Sequence, residues 1–180
     1  MSQADTVDTT QAVETPVTPE PMLVSDVIRS DRLMLANDTV KNHVIAATGV
    51  SLIPVPLADL AALVGIQIDM AHSLCKLYEV PFKEKLVRSL LTSLVSGAGA
   101  VIAMTGLSSL AKAVPGLGSI AGAAGVSATA ATITYATGKV LTKHFEIGGT
   151  IDNFDPVQFK ALFKEKIKEG AEVVKAFKPA

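Results

Sequence analysis

The chain has no tryptophan, one cysteine and few aromatic residues, only 4% of the total. A lone thiol, Cys75, excludes an internal disulfide framework. With aromatics scarce, the apolar share, 49% of residues, falls mainly to Ala, Val, Leu and Ile. Charge of one sign is also missing: the net charge is −1 and the sequence pI about 6.3. No basic field is therefore available to gather nucleic acid. No nucleophile, metal cluster or acid–base group stands out in the pattern, so the expectation is a protein that is not an enzyme and carries no cofactor. A chain of 180 residues suffices for one domain with a modest core.

Positive charge is absent from residues 1–21, "MSQADTVDTTQAVETPVTPEP", which hold Asp5, Asp8, Glu14 and Glu20 among Thr, Pro and Gln. Such a segment buries too little apolar surface to offset its ordering entropy, and a disordered tail is expected. It also lacks the basic start and the apolar run of about 7–15 residues that a signal peptide needs. Export by that route is not expected.

Apolar periodicity starts near Met22. Val24, Val27, Ile28 and Met34/Leu35 fall at helical spacing with charges between them, and one or two helices are expected over 23–50, ending near Gly49. Pro54 and Pro56 break that pattern, and Pro56 suits the first turn of a helix running from about 56 to 79. Leu60, Leu63, Val64, Met70, Leu74 and Leu77 form its stripe, and Pro81 closes it. Asp59 and Gln67 lie two turns apart on nearly one face. They read either as a helix-terminal charge with an interhelical hydrogen bond, or as a polar contact offered to a partner. His72 and Cys75 stand three apart, but two ligands do not make a zinc site. His43 and His144 are isolated.

Two long segments lack charge altogether. Residues 89–111 form the first, and the residues between Lys112 and Lys139 the second, with Val114-Pro115-Gly116 as a turn between them. A helix of 23 residues is roughly 35 Å long, enough for a hydrocarbon core of about 30 Å. The pair reads as a helical hairpin over about 89–138. The glycines of the turn do not make a nucleotide loop. Gly116, Gly118 and Gly122 lack a preceding strand and an acidic residue about 20 positions on. Gly138-Lys139 has Ile133 where a Walker loop has glycine, and Val140 where it has Ser or Thr.

Lipid and protein remain as surroundings for the hairpin. The spacings Gly99/Ala103, Gly118/Gly122 and Ala121/Gly125 would let helix backbones approach closely. Lys83, Lys85 and Arg88 precede the pair and Lys139 and Lys143 follow it, a skew that would keep both ends cytoplasmic. Against a span, Gly, Ser and Thr are frequent and aromatic belts are missing apart from Tyr135. The expectation is a hairpin in the cytoplasmic membrane. The alternative is a cytoplasmic protein that buries the hairpin in a homo-oligomer.

A last helix is expected from Asp155-Pro156, a cap followed by proline, to about 177. Phe159, Leu162, Phe163, Ile167, Val173, Val174 and Phe177 supply its apolar surface, with Gly170 as a weak point. Lys160, Lys164 and Lys168 belong to its charged face and are candidates for contact with anionic lipid or a partner. The chain thus divides into a tail (1–21), an all-α domain (22–150) and an amphipathic C-terminal helix (151–180).

The blocks "IPVPLADLAALVGIQIDMAHSLCKLYEVPF" and "LAKAVPGLGSIAGAAGVSATAATITYATGKVLTKHFEIGG" resemble the domain of unknown function 697 (YcjF-like) family over roughly 45–150. The shared features are I-P-x-P-x-x-D, a glutamine eight residues on, a Tyr-containing helix end, the V-P-G-x-G turn and an Ala/Thr-rich helix leading to Gly-Lys. Members are mostly membrane proteins, several fused to or encoded beside Era-like GTPases. The resemblance implies a helical, membrane-embedded companion of a GTPase, with no catalytic residues to carry over.

Overall fold

A computed structural model describes residues 21–50, 58–104 and 118–176, with side chains over 24–49, 61–96 and 127–176. Five helices follow in order: α1 (Pro21–Val50), α2 (Ala58–Leu77), α3 (Glu84–Met104), α4 (Gly118–Glu146) and α5 (Lys160–Ala176). The all-α reading holds. The expected tail lies outside the described residues except for Pro21, which opens α1 as proline at a first helical position can. The Pro54/Pro56 break and the Val114-Pro115-Gly116 turn also lie outside them.

Helix α4 touches each of the other four, most extensively α1 and α5. Its neighbour in sequence, α3, rests on α5, α2 and α4. The core is the meeting of Val40 and Val44 (α1), Met70 and Leu74 (α2), Val87, Leu90, Leu91 and Leu94 (α3), Val140 and Leu141 (α4), and Phe163 and Ile167 (α5). On α3 the buried residues keep the i, i+3, i+4, i+7 spacing of one helical face.

Helix α1 is turned the other way from the sequence expectation. Val24, Val27, Ile28, Met34 and Leu35, the periodic apolar residues, are all exposed. The buried face is Ala36, Val40, Val44 and Ala47. Small side chains won the core position because α4 comes close there. A Cβ built on Gly138 would stand 2.5 Å from Val40 Cγ2 and 3.1 Å from Met70 Sδ.

Two helices end in the same way. After α2, Val80 N–H donates to Cys75 O (2.8 Å) and Glu79 N–H to Lys76 O (3.3 Å), with Glu79 at φ 56°. After α4, Gly149 N–H donates to His144 O and Gly148 N–H to Phe145 O, both at 2.9 Å, with Gly148 at φ 82°. Both are Schellman closures, which need one left-handed residue. Pro81 follows the first.

The start of α5 is a correction. Asp155 caps as expected, its Oδ1 accepting from Val157 N at 2.9 Å. The chain then turns before it becomes helical. The Phe159 N to Asp155 O contact is long, 3.4 Å, and Lys160 N donates to Val157 O, only three residues back. Regular α-helix begins at Lys160. Gly170, expected to weaken the helix, is buried within it. A Cβ there would meet Tyr135 Cδ1 at 2.9 Å, so the glycine lets α5 lie against α4.

Candidate interaction surfaces

Lys160, Lys164 and Lys168 are all exposed and form no ion pair among the described residues. They recur every four residues, about 6 Å along the axis, on one side of α5. Their neighbours are neutralised. Lys166 bridges Glu165 (3.3 Å) and Glu169 (2.5 Å), and Lys175 pairs with Glu172 at 2.7 Å. The unpaired lysines are thus a cationic strip beside a self-compensated flank. The face of α5 that adjoins the strip is apolar and holds Phe163 and Ile167 in the core.

The other candidates of the sequence divide. Gln67 is buried, so it turns into the bundle and offers nothing to an outside partner. Asp59 lies in the first turn of α2, where side chains lie outside the described residues. The same holds for the side-chain surroundings of Gly99, Ala103, Gly118, Gly122 and Gly125. Among the described residues, Gly138 and Gly170 are the glycines at which helices meet. In the sequence the first belongs to the Gly-Lys pair of the family resemblance and fails as a nucleotide motif, and the second reads as a weak point in its helix.

Of the second uncharged segment, the described part is protein interior. Ser127, Ala130, Ala131, Thr132, Thr134, Ala136 and Thr137 are all buried. Ser127 Oγ donates to Thr48 O at 2.8 Å, which ties α4 to the end of α1. This corrects the expectation that the segment lies in lipid to residue 138: its small and hydroxyl-bearing side chains pack against α1 and α5. Among the described residues no helix is long and apolar enough to cross a membrane.

Three polar clusters hold the helices in register. In the first, Glu146 at the end of α4 accepts from Tyr78 Oη (2.6 Å) and Arg29 Nε (2.8 Å), while Arg32 lies 5.6 Å from the Tyr78 ring centre. Burial opposes charge on Glu146, but the hydrogen bonds from Tyr78 and Arg29 outweigh it and hold its carboxyl below the usual range. In the second, Lys139 of the Gly-Lys pair donates to Asn37 Oδ1 at 2.7 Å and lies 5.3 Å from the Tyr135 ring centre. Burial lowers its pKa. Tyr135 Oη in turn donates to Glu169 of α5. Lys139 is therefore an interhelical tie with no phosphate-binding loop around it.

In the third cluster, His144 is buried among Phe145, Phe154 and Phe159, with the two nearest rings edge-on at 5.0 and 5.3 Å. Asn153 Oδ1 accepts from Thr150 N at 2.7 Å, which identifies it as oxygen. His144 Nε2 approaches that oxygen (3.1 Å) and Thr150 O (2.8 Å), so it carries the proton and donates. In the sequence this histidine is isolated. The aromatic residues that surround it lie up to 15 positions further along the chain.

His72 and Cys75 are not a metal pair. The His72 ring packs on Phe82 at 4.6 Å, and Cys75 is buried, its thiol pushed up to about 11 by burial. Among the described residues no group of three or more His, Cys, Asp and Glu could hold a metal ion. Between α1 and α2 an open groove of ≈ 340 Å³ is lined by Asn42, His43, Ala46, Gly65, Ile66 and Asp69, with His43 Nε2 3.1 Å from Asp69 Oδ2.

What these features define is an all-helical domain that displays surfaces and ties its helices together with buried polar pairs. The chain belongs to the family "Domain of unknown function (DUF697)", whose model matches residues 22–171. That match extends the resemblance of 45–150 in both directions and takes in α1 and most of α5. A relative, Magnetosome membrane protein 22 of Magnetospirillum gryphiswaldense, is 39% identical over 157 residues, covering 83% of this chain and 78% of the relative. No solved structure matches the chain.

Proposed function

We propose that this protein is a non-catalytic, membrane-associated helical module that works with a protein partner. The observation that carries this reading is the relative, 39% identical over most of both chains and named as a magnetosome membrane protein. Two features of this chain support it: the uncharged run 89–111 and the unpaired strip Lys160, Lys164 and Lys168. The run supplies apolar contact, and the strip supplies attraction to anionic headgroups, worth about 1 kcal/mol per lysine near the surface. Lys83, Lys85 and Arg88, just before the run, add positive charge for the same anionic surface. An Era-like GTPase is the partner that the family resemblance implies.

Vesicle flotation tests the membrane part. The full chain should float with phosphatidylglycerol vesicles, and less with phosphatidylcholine alone. Lys160→Glu, Lys164→Glu and Lys168→Glu together should reduce flotation without unfolding the chain. Ala103→Arg should weaken association with cell membranes, since it puts a charge inside the uncharged run 89–111. A protein that stays in the supernatant as a defined particle would overturn this reading. A binding titration against the cell's Era-like GTPase tests the partner separately.

A further inference from the structure

Helix α1 carries two apolar faces, and only one is used. Ala36, Val40, Val44 and Ala47 face the core. On the other side lie Val24, Val27, Ile28, Met34, Leu35 and Ile45, with Val27 57%, Met34 63% and Leu35 56% exposed. At 100° per residue these six fall within a strip about 120° wide, opposite the buried face. Asp31 and Asp38 interrupt the same strip, exposed and without a side-chain partner among the described residues. Seven residues separate them, about 10.5 Å along the axis. The helix is anchored from behind by Arg29 to Glu146 and by Arg32 over Tyr78. The strip is therefore held in place before anything binds, which lowers the ordering cost of association.

We propose that this strip is the docking site for a basic amphipathic helix of another protein, with apolar residues at i, i+3 and i+4 spacing and two Lys or Arg seven residues apart. Charge decides among the occupants. Antiparallel pairing of two copies either sets Val24 on Ile45 and Met34 on Leu35, with Asp31 against Asp38, or sets Val27 on Leu35 and Ile28 on Met34, with Asp31 against Asp31 of the second copy; both matches are repulsive. An anionic membrane would face the same two carboxylates. A helix with two cations at the matching spacing covers the apolar strip and pairs both carboxylates. The inference does not rest on the membrane reading, because it concerns a different helix and the opposite charge.

The test uses the full chain and two synthetic helical peptides of the same apolar pattern, one with Lys and one with Glu at two sites seven residues apart, read by fluorescence anisotropy. The wild type should bind the Lys peptide about five- to tenfold tighter than the Glu peptide, as two partly exposed ion pairs allow. Asp31→Lys with Asp38→Lys should invert that preference, and Leu35→Ser should weaken both peptides. Equal affinity for the two peptides, or no inversion, overturns the proposal. So does light scattering that shows a wild-type dimer dissociated by Leu35→Ser, or loss of flotation on phosphatidylglycerol vesicles in Leu35→Ser.

Discussion

Gly138 of α4 and Val40 of α1 touch so closely that no side chain fits between them: a Cβ on Gly138 would stand 2.5 and 2.8 Å from the two Val40 methyls. Val40 cannot swing aside, because it is β-branched and buried. Gly138→Ala should therefore destabilise the chain despite the higher helix propensity of alanine, by roughly 1–3 kcal/mol as for other overpacked cores. Adding Val40→Ala should recover part of the loss. Thermal unfolding of the two variants and the double variant checks this, and additive losses would mean that the contact is not the cause.

The two Schellman closures make opposite predictions. Glu79 holds the left-handed position after α2 with a side chain, a conformation that costs roughly 1–2 kcal/mol for an L-residue. Glu79→Gly should raise stability by up to about 1 kcal/mol, the gain reduced by the extra freedom of glycine in the unfolded chain. Gly148 holds the same position after α4, and an added Cβ there meets nothing within 4 Å. Gly148→Ala should cost only the backbone strain, about 1–2 kcal/mol. Gly149→Ala should be worse, since its Cβ would overlap the His144 ring at 2.2 Å and disturb the Phe154 and Phe159 contacts. Chemical denaturation should rank the three variants in that order.

Pro81 and the apolar stripes on α2 and α5 made those helices legible, because turn chemistry and one-sided burial leave marks in a sequence. The face of α1 was not legible. Its periodic apolar residues are exposed, and the buried face is written in Ala and Val. Gly138 and Gly170 were also hidden. A glycine in a helix reads as a weak point unless the partner across the interface, here Val40 or Tyr135, is known. The lysine strip on α5 was visible as candidates, but only the ion pairs of Lys166 and Lys175 separate Lys160, Lys164 and Lys168 from their compensated neighbours.

Two carboxylates make stability depend on pH. Burial works against charge on Glu146 and is outweighed by Tyr78 and Arg29. Glu169 is held low first by Lys166 and then by Tyr135. Both folded values lie below the ordinary range. Their stabilisation is thus complete above that range and disappears as pH falls through the folded values. The urea midpoint should drop on acidification below about pH 4.5, and Glu146→Gln should make that drop shallower. Tyr78→Phe should cost about 1–2 kcal/mol near neutral pH through the lost bond to a charged group. An acid limb unchanged in Glu146→Gln would remove Glu146 from the explanation.

Hydroxyls in the core give the last prediction. Thr134 Oγ1 donates back to Ala130 O at 2.9 Å, but the buried Oγ1 atoms of Thr132, Thr137 and Thr142 have no hydrogen-bond partner among the described residues. A buried hydroxyl without a partner loses its hydration and gains nothing in return, at a cost of about 1–3 kcal/mol. Valine has nearly the same shape and one strongly preferred rotamer in a helix. Thr137→Val should therefore leave stability unchanged or raise it by up to about 1–2 kcal/mol, whereas Thr134→Val removes a made bond and should gain less. The comparison of two buried threonines three residues apart cancels the helix-propensity term common to both. Thermal melts of the two variants decide it. A Thr137→Val variant less stable than Thr134→Val would show that the Thr137 hydroxyl is satisfied in solution and that these threonines are retained for a polar contact inside the bundle.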